Sequence, residues 1–189
     1  MSDSEEKQSG NTEESASALL INPRPMRGFV QTPYVKEVTA RALNYLRAGF
    51  PVHFRGPTGA GKTTLALHVA HKLRRPMVLI HGDDQFTSSD LTGKSHGYTK
   101  KKFVDEFVRG VSKTEESMQD QWVDHRLTLA VREGHTLLYD EFNRSRPEAN
   151  NILLSILQEG VLDFPVGGNK GEAYLRVHPS FRVIFNRKY

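Results

Sequence analysis

The sequence predicts an α/β protein: a parallel sheet flanked by helices, with a β-hairpin insert. Three observations carry that prediction. Short apolar segments at "PVHFR", "PMVLI", "TLLYDEF" and "FRVIF" read as buried strands, and helical periodicity fills stretches between them. One glycine-rich segment, "GPTGAGKTT", joins a strand directly to a helix. Parallel strands need long crossovers and are covered on both faces, so they run as apolar blocks rather than alternating.

The 189 residues suit one domain with a real core, expected over residues 23–189. Residues 1–22 are expected to form a disordered tail. Their first 18 positions hold Asp3, Glu5, Glu6, Glu13 and Glu14 against Lys7 alone, a net of −4, so the rest carries +8 to reach the chain's +4. This opening lacks the basic start and apolar stretch of a secretion signal, and no run of about 18 apolar residues exists to span a membrane. There is no cysteine, hence no disulfide framework and no thiolate metal site, which fits a cytoplasmic setting.

Thr32 followed by Pro33 marks a helix start, with Val35, Val38, Thr39, Ala42, Tyr45 and Leu46 at helical spacing and Gly49 as its stop. Then come "PVHFR", the glycine loop, the helix "KTTLALHVAHKL" and the strand "PMVLI". The region His81 to Gly134 is mostly polar, with a helix expected around Trp122 to Arg132; Trp122 itself reads as core. After "TLLYDEF", Ser145 and Glu148 fit a capping box for a helix through Gln158 whose stripe is Ile152, Leu153, Ile156 and Leu157. "VLDFPVGGNKGEAYLRV" alternates around a Gly-rich turn and predicts the hairpin before the last strand.

Gly56, Pro57, Thr58, Gly59, Ala60, Gly61, Lys62 and Thr63, with Thr64 behind them, satisfy the spacing of a phosphate-binding loop, the P-loop of nucleoside triphosphatases. Glycines let the backbone curl with its amides inward, and the following helix turns its positive end toward the same anion. Lys62 can reach the β and γ phosphates, and the Thr63 hydroxyl can ligate Mg2+. With glycine at roughly 7 % of residues, a chance match in such a chain is on the order of one in a hundred. The match also lies between strand and helix, as the chemistry requires.

The second half of the site is expected at another strand end. Asp140 would hold the metal through its shell, and Glu141 would orient and polarise the attacking water, a pairing that favours ATP hydrolysis over phosphoryl transfer to another substrate. His81, Asp83, Asp84 and His96 match no compact metal-ligand spacing and read as loop residues. Arg144 and Arg146 suit either a phosphate contact or a solvated helix entrance. The basic balance invites a nucleic-acid reading, but Lys100 to Lys102 is the one tight run, so a solvated face or a phosphate pocket explains it as well.

"GPTGAGKTT", "YDEFNRSRPEANNILLSILQEG" and the hairpin leading to "HPSFRVIF" resemble the MoxR-type branch of the AAA+ ATPases. More narrowly, "RPMRGFVQTPYVKEVTARALNYLRAGFPVHFRGPTGAGKTTLA", "VLIHGDDQFTSSDLTG", "KTEESMQDQWVDHRL" and "YDEFNRSRPEANN" resemble the gas vesicle protein N family, over roughly Pro23 to Phe185. The resemblance implies an AAA+ core, ATP and Mg2+, a part in gas vesicle formation with other gas vesicle proteins, and ring assembly with nucleotide between subunits. By matching motif it assigns Lys62 and Thr63 to nucleotide and metal, and Asp140 and Glu141 to hydrolysis.

The last residues depart from the family pattern. There the strand continues into a Thr-x-Asn-Pro-like turn whose Asn senses the γ-phosphate; here Asn186 follows Phe185 directly and is the candidate sensor in a shortened register. By that comparison the chain is C-terminally truncated, ending before the later arginine, the last core strand and the helical lid. An arginine supplied by a neighbour is worth about 10³ to 10⁵ in rate, so slow turnover is expected. Two alternatives stay open: a nucleic-acid-associated motor or loader, and a nucleotide-binding scaffold without turnover.

Overall fold

The Thr32 hydroxyl accepts from the Val35 amide at 3.2 Å and Pro33 occupies the first turn, so α1 (Pro33–Arg47) starts where its cap chemistry dictates. The structure, a computed structural model, describes residues 20–24, 28–85, 87–104, 114–164 and 172–188, with backbone alone over 94–104 and 114–124. After α1 come β1 (Val52–Gly56), α2 (Lys62–Leu73), β2 (Met77–His81), α3 (Ser88–Thr92), β3 (Gly93–Val104) and β4 (Thr114–Asp124). The chain continues through α4 (Arg126–Glu133), β5 (Thr136–Asp140), α5 (Pro147–Leu154), β6 (Val161–Asp163), β7 (Tyr174–Arg176) and β8 (Arg182–Lys188).

Four strands form the expected parallel sheet, in the order β1-β8-β5-β2. Sequential strands β1 and β2 thus occupy opposite edges, and β8 fills the centre beside the strand that feeds the glycine loop. Side-chain alternation sends residues to both faces of the sheet; on edge strand β1 one of those faces, with His53 and Arg55, is exposed. Leu138 and Ile184 pack with Phe54, Ala66, Val69 and Ala70 beneath α2 and α1, while Leu137, Tyr139 and Val183 pack with Leu127, Val131, Leu153 and Ile156 beneath α4 and α5. All five residues of β5 are buried, which explains why "TLLYD" shows no polar alternation. The hairpin insert is present as β6 paired with β7, its turn lying outside the described residues.

Several expectations are corrected. The helix expected from Trp122 begins instead at Arg126, and Trp122 and Val123 lie on β4, paired with Ser95 and Lys94 in an antiparallel hairpin of β3 and β4. The sequence there is polar and lacks a clean alternation, so nothing local announced a strand. Ser145 does not cap α5: its cap is Arg146, without a side-chain bond, and the Ser145 hydroxyl serves Tyr139 and Asp83 instead. The helix does run on past Leu154, but as a π turn over Ser155–Glu159 that leaves Leu157 40 % exposed rather than on the apolar stripe.

Positions 20–22 of the expected tail are among the described residues. Ile21 forms an antiparallel bridge with Met77 through two backbone hydrogen bonds of 2.8 and 2.9 Å, and the Pro23 carbonyl lies 2.8 Å from His71 Nδ1. The remainder of the tail, residues 1–19, lies outside the described residues. At the other end the strand read as "FRVIF" runs on through Asn186 and Arg187 to Lys188. No helix among the described residues is long and apolar enough to cross a membrane.

Candidate active site

At the end of β1 the chain turns through Gly56, Pro57, Thr58, Gly59, Ala60 and Gly61 into α2. Gly59 (φ 80°) and Gly61 (φ 75°) both adopt the left-handed conformation that a side chain would strain. This curl places Lys62 and Thr63 on the first turn of α2, followed by Thr64. The Lys62 ammonium donates to the Pro57 carbonyl at 2.6 Å, folding back over its own loop. The loop residues from Pro57 to Gly61 are exposed; the Ala60 amide donates to the Pro57 carbonyl at 3.3 Å, and Pro57 itself has no amide hydrogen to offer.

Asp140, the last residue of β5, stands in register with His81 and is mostly buried. The Thr63 hydroxyl donates to Asp140 Oδ2 at 2.9 Å, which joins the glycine loop and the strand-end acid into one site. Hydroxyl and carboxylate oxygens are the hard donors that Mg2+ prefers in combination with phosphates, so the pair fits that ion. Gly59, Gly61 and the start of a twelve-residue helix likewise fit a phosphate.

Glu141 follows in a left-handed conformation (φ 53°), unusual for a residue other than glycine, and begins a 3-10 turn over Phe142–Arg144. Phe142 anchors that turn between His53, Tyr139 and Phe185, with ring centroids 5.3, 6.3 and 5.1 Å away, and its carbonyl accepts from Asn150 Nδ2 at 3.2 Å. The Glu141 carboxylate pairs with Lys188 through Oε1 and with Arg144 Nη1 at 3.2 Å through Oε2. Lys188 foremost, then Arg144, hold its carboxyl below the usual carboxylate range against the opposing effect of partial burial.

Asn186 lies on β8 opposite Phe54, fully buried, and neither its amide nitrogen nor its oxygen has a hydrogen-bond partner among the described residues. A buried, unsatisfied amide is costly and calls for a ligand or water. It follows Ile184 by two residues, so it shares the sheet face that carries Leu138 and Asp140.

The remaining candidates are drawn elsewhere. Arg144 is spent on Glu141, and Arg146 donates from Nε to the Asp84 carbonyl at 2.7 Å, tying the start of α5 to the loop after β2. Asp83 accepts from the Gln85 amide at 2.9 Å in a local turn. His81 Nδ1 is 4.0 Å from Asp140 Oδ2, and among the described residues no three acidic or imidazole groups gather as a metal would need. The side chains of His96, Lys100 to Lys102 and Trp122 lie outside the described residues.

Sequence reasoning passed over two residues. Lys188 becomes a neighbour of Glu141 only through strand register, which no local pattern announces. Gly82 donates its amide to the Asp140 carbonyl at 2.7 Å and has no room for a side chain, since a Cβ would stand 2.1 Å from the Glu141 carbonyl oxygen. Its position just past a strand end, in "IHGDD", was the available signal.

A family model described as AAA domain (dynein-related subfamily) matches residues 51–187. The chain is 51% identical over 179 residues to the gas vesicle ATPase GvpN of Ancylobacter aquaticus, covering 95% of this chain and 49% of that protein. It is 48% identical over 162 residues to the gas vesicle ATPase GvpN1 of Halobacterium salinarum, covering 84% and 45%. The chain therefore spans about half the length of these relatives, and the relationship inferred from its motifs is met. Among solved structures, NtrX from Brucella abortus superimposes with a TM-score of 0.52 at 18% identity, covering 97% of this chain and 35% of that one, a likeness of fold. The match over residues 51–187, together with the glycine loop joined to a strand-end acid on a parallel sheet, establishes that the chain belongs to the AAA-domain family, in its dynein-related subfamily.

Proposed function

We propose that this chain binds ATP with Mg2+ and hydrolyses it as an assembly factor in gas vesicle formation, working in the cytoplasm with other gas vesicle proteins and in a homo-oligomeric ring. The observation that carries the ATP reading is the 2.9 Å bond between Thr63 and Asp140, which unites two motifs distant in sequence. The gas vesicle setting is carried by the identity to the two gas vesicle ATPases.

In this reading the backbone amides of the glycine loop, Pro57 excepted, and the Lys62 ammonium bind the phosphates, with the start of α2 behind them. Thr63 and Asp140 would hold Mg2+, which supplies charge neutralisation at the β and γ phosphates. Glu141 accepts a proton from the attacking water as its oxygen bonds to the γ-phosphorus and the bond to the bridging oxygen of ADP breaks. Asn186, buried beside Asp140 on the same face, directs an amide toward that water.

Lys62→Ala should abolish binding of a fluorescent ATP analogue, because the loop loses its phosphate-facing cation; retained affinity would sink the site assignment. Glu141→Gln should keep that affinity while slowing any steady-state phosphate release by about 10² to 10⁴-fold, the worth of a general base. An unchanged rate would move the base elsewhere. The biological half is checked by expressing this chain, or its Lys62→Ala variant, in Ancylobacter aquaticus lacking its own GvpN and scoring flotation. No difference between the two would count against an ATP-dependent role in vesicle formation.

A further inference from the structure

The end of the sheet opposite the glycine loop is basic and has no part in the site assembled above. Arg74 and Arg75 lead into β2, His135 precedes β5 and Arg182 opens β8, three strands adjacent in the order β8-β5-β2. The Thr136 amide donates to the Pro76 carbonyl at 3.0 Å, and the Arg182 amide to the His135 carbonyl at 3.4 Å. Arg75 and Arg182 therefore flank the start of β5, about 10 Å apart by two strand spacings. Arg75 Nη1 reaches the Gly134 carbonyl at 3.5 Å, and the His178 ring packs on Gly134 so closely that a Cβ there would stand 2.3 Å from Nδ1. Beside this row opens a cleft of about 280 Å3 lined by Asn22, Pro23, His71, Arg74, Arg75 and Pro76. Among the described residues no carboxylate pairs with Arg74, Arg75 or Arg182, whereas Arg144 and Lys188 at the other end of the sheet both pair with Glu141. Burial first, then the Arg75 charge, lowers the Arg182 guanidinium below its ordinary value, as expected where like charges gather without a counter-anion.

We propose that this basic end of the sheet is a docking surface for an acidic segment, and that its occupant is the chain's own residues 1–18. Two observations select that occupant. The segment carries Asp3, Glu5, Glu6, Glu13 and Glu14 against Lys7 alone, the charge that the unpaired guanidinium groups lack. It is also tethered beside them, because Ile21 bridges to Met77, two residues after Arg75. The bridge is antiparallel, so the chain before Ile21 heads away from the basic end and has to double back. Glu14 lies six residues before Leu20, a reach of about 20 Å, which is enough to turn and return to Arg75. Each exposed ion pair is weak by itself. The tether supplies what single pairs lack, since a short linker holds the acids at millimolar effective concentration. Docked there, the segment would screen the basic face from nucleic acids and other polyanions, and the positive balance of the remaining residues would be answered within the chain.

The test uses the full chain, whose lack of cysteine lets Ser9→Cys carry a single nitroxide label. In NMR spectra the amide signals of Arg74, Arg75, His135 and Arg182 should be broadened by the label, while those of Thr63 and Thr64 at the opposite end are spared. The broadening should be lost at about 1 M salt, where screening shortens to about 3 Å. It should also be lost when Asp3→Asn, Glu5→Gln, Glu6→Gln, Glu13→Gln and Glu14→Gln are combined, with the melting temperature unchanged. That neutralised chain should bind a single-stranded oligonucleotide about tenfold more tightly than wild type, the gain from freeing a face covered about nine-tenths of the time. Adding Arg74→Gln and Arg75→Gln, both at exposed positions, should abolish the gain. Broadening that is uniform over the surface, or centred on Thr63, would overturn the inference. So would broadening that survives neutralisation, an oligonucleotide affinity that neutralisation leaves unchanged, or a gain that survives loss of the two arginines, which would put the screened face elsewhere.

Discussion

The Thr63 hydroxyl and the Asp140 carboxylate, 77 positions apart in the chain, meet at 2.9 Å. Asp140→Asn keeps the shape and an oxygen that can still accept from Thr63, so folding should survive. The negative charge for Mg2+ is lost. The gain in nucleotide affinity on adding Mg2+ should therefore fall by at least about tenfold, since even indirect partners of a metal are worth that much. Titrations with Mg2+ and with a chelator give the comparison, and an undiminished Mg2+ effect would remove Asp140 as a ligand.

Gly82 is a packing requirement of the turn that carries Glu141. Gly82→Ala would push a methyl group into the Glu141 carbonyl at 2.1 Å, a backbone atom with little freedom to move. Urea unfolding should show a loss of about 1 to 3 kcal/mol, the usual cost of overpacking. A neutral result would mean that the turn after Asp140 shifts without resistance.

Ser145 holds a buried hydroxyl in place rather than capping a helix. Tyr139 is fully buried and donates to Ser145 Oγ at 2.7 Å, and the Asp83 amide donates to the same oxygen at 3.2 Å. Ser145→Ala should cost about 1 to 3 kcal/mol by orphaning the tyrosine hydroxyl. Adding Tyr139→Phe should recover part of that loss, a coupling that a double-mutant cycle in urea would read. Strict additivity would contradict the bond.

Three histidines predict acid sensitivity. Burial, the leading cause for each, pushes His53, His68 and His135 below the ordinary imidazole value of 6.5. Such a group binds its proton more readily in the unfolded chain, so stability is intact above about pH 6.5 and is lost as pH falls below it. His68, buried and stacked on Phe29 at 4.4 Å, makes the sharpest case. Melting temperatures at pH 7.5 and 5.5 should differ for wild type and differ less for His68→Gln. A wild-type melting temperature that is flat or rises on acidification would contradict the direction.

The glycine loop was legible because its chemistry is local: Gly59 and Gly61 must turn, and Lys62 and Thr63 must follow at once on a helix. The strand bearing Asp140 was legible because burial on both faces removes polar residues from it. The β3 and β4 hairpin escaped notice because its residues are mostly polar and show no clean alternation in the sequence. Ser145 was misassigned for a related reason. A hydroxyl three residues before an acid fits a cap in sequence, but a buried tyrosine on β5 offered it a partner that only the folded sheet brings near.

The sequence by itself determined the glycine loop, the strand-end acids, the alternation of strands and helices, and the relationship to gas vesicle ATPases, since each is written in adjacent residues. Tertiary structure alone decided that β8 lies between β1 and β5, and with it the burial of Asn186 and the pairing of Lys188 with Glu141. The physical reason is that parallel strands take their neighbours from distant parts of the chain. A side chain at a strand end therefore meets partners chosen by register across the sheet: the stretch around Glu141 contains Arg144, but not Lys188, the other cation that holds it.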